Sequence, residues 1–281
     1  MIDLHTHSTA SDGRLDPTSL VELAHKTGLT LLALTDHDTT AGLDEAAQAC
    51  QRHAISFIPG IEWEINNPNG EFHLLGLGLK NWSGGFALAV DKIQKLRHDR
   101  NQKIFARMLS AGLKGDYSEV EELAQGGQIG RPHFARFLVA RGKVSSVQDA
   151  FNQFLGRGKL FWEPKVGLDF DEAIELIHSA GGQAVIAHPL SLALPWASLE
   201  EQLLLFKSRG LDGLEAWHPS ASVGACRRLE EMAQRLNLIV TAGSDFHGGN
   251  RPDRRLGFTA GKRPIDCKFA DFLLNRPLAA C

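Results

Sequence analysis

The sequence predicts an α/β protein whose strand and helix alternation is interrupted by a helical insertion. Short apolar runs of strand length recur at 29–35, 183–187, 213–216 and 238–242. Continuous apolar runs of this length fit parallel strands buried on both faces. Segments with helical spacing separate them, and between residues 82 and 165 the strand pattern disappears.

Taken in order, residues 1–8 form a short strand that runs into His5-Thr6-His7, followed by a loop carrying Asp12. Side chains two apart on a strand share a side, so the two imidazoles can face one metal ion. Residues 17–27 have helical spacing, with Asp16 as the N-cap and Gly28 as the stop. The strand at 29–35 ends in Thr35-Asp36-His37-Asp38, and a second helix spans 40–53. A third strand at 56–61 leads into Glu62, and the turn-forming stretch 66–70 separates it from a fourth strand at 71–79. That gap is too short for a crossover helix, so strands three and four form an antiparallel hairpin.

The insertion begins with a long helix over 86–111, apolar on one face and rich in Lys and Arg on the other. Ser118 and Glu121 have capping-box spacing, as do Ser146 and Asp149. Gly130-Arg131-Pro132-His133 opens another helix, with proline at a position that suits a first turn. The alternation resumes with helices at 171–180, 198–209 and 223–236, each preceding one of the last three strands. The expected division is a barrel domain of 1–81 and 166–281 and an insertion of 82–165.

Composition narrows the class. The apolar fraction of 43% is that of a globular chain, and a net charge of −3 argues against a dedicated nucleic-acid coat. The four cysteines show no CxxC spacing and read as reduced, structural thiols of a cytoplasmic protein. No signal peptide and no membrane span are expected. Histidine carries the information. Of twelve, His25, His53, His98 and His178 lie in helical segments and read as surface residues. The other eight stand at strand ends or loop starts beside Asp, Gly or Pro.

One event repeats at the strand ends: His5 and His7, His37, Glu62, His188, then Asp245 and His247, with His73 on strand four. In α/β barrels such residues converge on one face, where active sites form. The set predicts a His and carboxylate cluster around several metal ions. The donor types suit Mn²⁺, Fe²⁺ or Zn²⁺, and the lack of thiolates weighs against structural zinc. Asp36 and Asp38 are candidates for orienting His37.

The motifs HTHS, TDHD, PGIE, HLLG, AHP and SDFH resemble those of the polymerase and histidinol phosphatase (PHP) family over nearly the whole chain. The resemblance implies a distorted, TIM-like (β/α)7 barrel with two or three metal ions, often Mn²⁺. It implies that His5, His7, Glu62 and Asp245 hold one ion. It implies too that Glu62 bridges to a second ion held by His73 and His188, that Asp12, His37 and His247 hold a third, and that a hydroxide shared by the bridged ions attacks phosphorus in line. Catalytic roles are expected for Glu62, Asp245 and His218, the last as a proton donor or a phosphate contact.

The GRPHFA stretch resembles the branch that contains 3′,5′-nucleotide bisphosphate phosphatases and 5′→3′ exoribonucleases. Arg131 and His133, at a helix N-terminus that favours anions, are expected to bind a second phosphate, with Arg157 nearby in sequence. Arg136 and Lys159 read as solvated surface charge. The expected substrate is a nucleoside 3′,5′-bisphosphate cleaved at its 3′-phosphate. Short 5′-phosphorylated RNA and histidinol phosphate are the alternative substrates. A metal-binding domain without catalysis is the alternative from another class, and no membrane or obligate protein partner is implied.

Overall fold

The computed structural model describes residues 1–67, 71–124 and 127–273. The chain divides into two compact units, Met1–Val90 with Gly167–Cys281, and Asp91–Val166.

The first unit is built on one seven-stranded sheet in the order β1-β2-β3-β4-β5-β6-β7. Its strands are β1 (Ile2–Asp3), β2 (Leu31–Leu34), β3 (Ser56–Glu64), β4 (His73–Leu77), β5 (Gln183–Ile186), β6 (Gly213–Trp217) and β7 (Ile239–Ala242). All neighbours are parallel except at β4, which is antiparallel to both β3 and β5. The expected hairpin is present, although residues 68–70 of its turn lie outside the described residues. The sheet curls until its ends meet. Beyond β1 and β7, Thr6 bridges Phe246, the Asp245 N–H donates to the His5 carbonyl (2.9 Å), and the His7 N–H donates to the Phe246 carbonyl (3.0 Å). The result is the distorted, TIM-like barrel.

Helices α1 (Pro17–Thr27) and α2 (Leu43–Arg52) cover the first strands. Asp16 accepts from the Ser19 N–H (2.7 Å), and Gly28, at φ 82°, ends α1 in the left-handed conformation that glycine adopts without strain. Leu20, Val21 and Ala24 of α1 pack with Leu43, Ala46 and Ala49 of α2 on Leu32 and Leu34. Burying a side chain of this size contributes about 1.5–3 kcal/mol, so this layer fixes where β2 delivers His37.

The long helix α3 (Gly85–Ser110) starts in the first unit, where the Phe86 and Trp63 rings lie 5.5 Å apart, and continues into the second. The unit boundary therefore falls inside the helix. In the second unit Ile104 and Met108 of α3 share a core with Val120 of α4 (Tyr117–Ala124) and with Phe134, Phe137 and Leu138 of α5 (Arg131–Ala140). Arg100, expected on the exposed basic face of α3, is buried, and its Nη2 donates to Asn101 Oδ1 (3.0 Å).

The predicted capping pair Ser118 and Glu121 is displaced. Helix α4 begins at Tyr117, and Glu119 Oε1 accepts from the Asp116 N–H (2.9 Å). Ser146 does cap α6 (Val147–Ala150), accepting from the Asp149 N–H (3.1 Å). Helices α7 (Phe170–Ser179), α8 (Trp196–Ser208) and α9 (Val223–Arg235) follow, and a small ribbon, β8 (Phe258–Thr259) with β9 (Arg263–Pro264), comes near the end. Among the described residues no helix is long and apolar enough to cross a membrane. Cys50 and Cys226 are buried free thiols.

Candidate metal centre

The strand ends bring His5, His7, Asp12, His37, Glu62, His73, His188, Asp245 and His247 into one cluster inside the first unit. Its hub is Glu62, fully buried within β3 rather than after it. Glu62 Oε2 lies 3.2 Å from His5 Nε2, 3.2 Å from His7 Nε2 and 3.1 Å from His37 Nδ1. Glu62 Oε1 lies 2.8 Å from His73 Nδ1 and 3.0 Å from His188 Nε2. The two oxygens of one carboxylate thus face two different sets of imidazoles.

The spacing fits a metal better than it fits hydrogen bonds. His5 Nε2 and His7 Nε2 are 3.1 Å apart, and Asp245 Oδ1 is 3.6 and 3.4 Å from them. A tetrahedral ion with bonds of about 2.1 Å separates its ligand atoms by about 3.4 Å. Glu62 Oε2 is enclosed and has no aligned hydrogen bond, although three ring nitrogens surround it. A buried acceptor left this way is costly unless something else completes it. Around Asp12 a further group forms: Asp12 Oδ1 lies 3.1 Å from His247 Nε2, with His7 and His37 close by. His37 also groups with Glu62 and His73, so it stands between two prospective ion positions.

Charge follows the same geometry. Burial opposes the ionised form of Glu62, but His37, His5 and His73 outweigh it and hold its carboxyl well below the usual range. Asp245 is held down likewise, chiefly by His247 and His218, and Asp12 by His247 and His37. Burial would lower His7, yet the Asp245 and Glu62 carboxylates beside it raise it to about 9. At His5, Glu215 and Glu62 overcome burial and raise it well above 6.5. For His37 burial wins, and the ring is lowered to about 3.

The supporting residues are those the sequence concealed. Glu215 on β6 places Oε1 3.0 Å from His5 Nδ1, and its Oε2 accepts from the His188 N–H (2.8 Å). This fixes the His5 ring with Nε2 turned to the ligand group. Glu64 Oε2 lies 3.2 Å from His73 Nε2. Asp3 accepts from Ser244 Oγ (2.5 Å) and from the Ser244 and Gly257 N–H groups (2.9 and 2.7 Å), tying β1 to the loop that carries Asp245. Asp36, read as a partner of His37, instead accepts from the Ser8 N–H (2.8 Å), Ser8 Oγ (2.6 Å) and Ser11 Oγ, so it holds the loop that follows His7. Asp38 Oδ1 accepts from the Glu64 N–H (2.9 Å). Asp38, His188 and Asp245 have positive φ (51°, 28° and 52°), backbone strain of about 1–3 kcal/mol each.

His218 follows β6 at the edge of the cluster. Its Nδ1 accepts from the Ser220 N–H (3.2 Å), which assigns the ring proton to Nε2. Nε2 lies 3.3 Å from Asp245 Oδ2, outside hydrogen-bond alignment. Burial lowers the His218 pKa, so the ring is a neutral N–H donor rather than a cation.

Arg131, His133 and Arg157 belong to the second unit. His133 is buried, and its Nδ1 accepts from the Gly130 N–H (2.9 Å), capping the helix it was expected to offer to an anion. Arg131 lies 6.0 Å from the Phe151 ring centre, and Arg157 is exposed. The helical histidines His25, His98 and His178 are exposed and His53 is half-buried.

The PHP domain model matches residues 3–163. The chain belongs to the PHP domain family. A 5′-3′ exoribonuclease of Haemophilus influenzae is 38% identical over 87% of this chain and 89% of its own. A 3′,5′-nucleoside bisphosphate phosphatase of Chromobacterium violaceum is 34% identical over 94% of this chain and 93% of its own. A solved structure from Bifidobacterium adolescentis, provisionally named a metal-dependent phosphoesterase, superposes with a TM-score of 0.85 at 31% identity, covering 99% of this chain and 96% of that one. The chain is thus a PHP-type metal-dependent phosphoesterase, and its cluster of His and carboxylate side chains contains groups that could hold metal ions.

Proposed function

We propose that this protein hydrolyses the 3′-phosphate of nucleoside 3′,5′-bisphosphates, releasing the nucleoside 5′-monophosphate and phosphate. The observation that carries the reaction class is Glu62, one buried carboxylate whose two oxygens face separate imidazole sets. The substrate class follows the Chromobacterium relative, which is matched over nearly its whole length.

His5, His7, Glu62 and Asp245 would hold one ion, Glu62, His73 and His188 a second, and Asp12, His37 and His247 a third. Manganese fits this hard and borderline donor set, with iron(II) or zinc as the alternatives. When bound, such ions supply Lewis-acid charge and lower the pKa of water. The chain itself orients the reactants. Asp245 presents one oxygen to the ligand group and the other to His218. His218 serves as a hydrogen-bond donor to the phosphate beside Asp245, in keeping with its neutral Nε2–H tautomer. Arg131, at the N-terminus of α5, is the candidate for the second phosphate, with Arg157 nearby in sequence, while His133 caps that helix from inside.

A second reading has its own support: the Haemophilus relative makes 5′→3′ removal of nucleotides from short 5′-phosphorylated RNA the alternative. One assay separates the two. Phosphate and nucleotide release are measured with the Mn²⁺-loaded protein on 3′,5′-bisphosphates, 5′-phosphorylated oligoribonucleotides and histidinol phosphate. Faster turnover of RNA than of the bisphosphate would replace the first reading with the second, and no release from any would sink both. Arg131→Ala is expected to weaken bisphosphates far more than a simple monoester. Equal losses on both would remove Arg131 from the substrate site.

A further inference from the structure

The loop after β7 carries Arg251, Arg254 and Arg255, and Arg254 alone of the three is buried, at 6% exposure. It is held in place from both sides: its N–H donates to the Arg251 carbonyl (3.0 Å), Leu256 joins the core beneath α1 and α2, and the Gly257 N–H is fixed to Asp3. Its guanidinium is poorly partnered. Nε and Nη1 are enclosed without a hydrogen bond. Nε lies 3.3 Å from Asp253 Oδ2 out of alignment, and the Asp253 carboxylate is solvent-exposed and screened. Nη2 is 3.9 Å from Asp245 Oδ2, beyond hydrogen-bond reach.

An arginine cannot shed its charge on burial, and an enclosed guanidinium lacking acceptors is costly. Its one nearby anion in the cluster, Asp245, is committed on its other oxygen to the His5 and His7 group. His218 Nε2 faces the same Oδ2 from the end of β6. Two donors from different elements therefore converge within 4 Å of one carboxylate oxygen, the imidazole out of alignment with it and the guanidinium beyond hydrogen-bond reach. An anion with several oxygens, seated beside Asp245, would satisfy both.

We propose that Arg254 is a substrate-binding residue of this centre, donating with His218 to the non-bridging oxygens of the phosphate held at the metal cluster. The chemistry it recognises is a phosphate oxyanion, which a guanidinium can engage with more than one N–H. The proposal rests on the phosphoesterase reading of the cluster and not on the identity of the ester.

The test uses inorganic phosphate titrated calorimetrically into the full-length Mn²⁺-loaded protein, with metal content measured on the same samples. Arg254→Gln is expected to keep its metal and to bind phosphate on the order of 10²-fold more weakly, the scale of losing a hydrogen bond to a charged group. The value of kcat/KM should fall similarly for a 3′,5′-bisphosphate and for p-nitrophenyl phosphate, because the contact is to the phosphate they share. Arg254→Lys keeps the charge without the planar fork. It is expected to lose about 10-fold in phosphate affinity, and it decides the matter if the glutamine variant does not fold. Phosphate affinity within about threefold of wild type in the folded variants, or loss of metal in step with loss of phosphate, overturns the assignment, as does a loaded wild type that binds no phosphate. If Arg254 governs phosphate binding while no bisphosphate is cleaved, the proposed substrate fails and this inference stands.

Discussion

At the residue scale, the centre keeps acidic and basic groups charged in a place where burial would discharge them. His7 is raised to about 9 by Asp245 and Glu62, and His5 is raised by Glu215 and Glu62. A raised histidine contributes stability fully below its unfolded value of 6.5, and that contribution is lost as pH rises through about 9. A metal ion on the same nitrogens needs them neutral. Loading near pH 7 is therefore expected to release protons, and Mn²⁺ affinity should strengthen between pH 6.5 and 8.5. His37, lowered to about 3, is already neutral and contributes no proton. Calorimetry in buffers of different ionisation enthalpy reads the protons directly, and an affinity flat across that range would refute the charge assignment. Asp245→Ala should abolish turnover, since Asp245 faces His5, His7 and His218 together. Near-normal Mn²⁺-dependent activity in that variant would remove Asp245 from the site.

At the element scale, the strand ends set the aim of each side chain, and β7 shows how tight the tolerance is. A Cβ at Gly243 would collide with the His5 Cβ and with Glu215 Oε1. Gly243→Ala is therefore expected to cost about 1–3 kcal/mol and to reduce bound metal by turning the His5 ring. Wild-type melting temperature and metal content would contradict this. The same scale explains what was legible. Period-2 reasoning located His5 and His7, and the apolar runs located β2, β5, β6 and β7. It stopped β3 at Ile61, whereas the strand runs to Glu64. Alternation from Glu62 would have placed Glu64 on the same face, beside His73. Glu215 was hidden for another reason. A register shift between Glu215 and Trp217 breaks alternation, so Glu215 and His218 reach the same cluster from positions three apart. Arg254 lies in a turn with no periodicity, and only burial distinguishes it from its neighbours. The capping pair moved to Asp116 and Glu119 because several acidic and hydroxyl residues compete at that helix start.

At the scale of the whole molecule, the centre depends on closure of the barrel. Glu62 and Asp245 complete the group begun by His5 and His7 only because the segment after β1 hydrogen-bonds to the segment after β7. No stretch of the unfolded chain holds His5, His7 and Asp245 at 3.1–3.6 Å from one another with Glu62 Oε2 3.2 Å from both imidazoles. Metal ions should accordingly bind the folded state in strong preference to the unfolded one. Such binding stabilises by about 2.7 kcal/mol when the free ion exceeds its dissociation constant a hundredfold. For a chain of this size that corresponds to roughly 5–10 °C in melting temperature. Removing metal with a chelator should lower the melting temperature by that order, and adding back Mn²⁺ should restore it in a concentration-dependent way. The control is Asp245→Ala with Glu62→Gln, in which the chelator should make little difference. A wild-type melting temperature indifferent to chelator would mean that the Glu62 cluster folds without help from any ion, and the metal reading of its unsatisfied Oε2 would have to be abandoned.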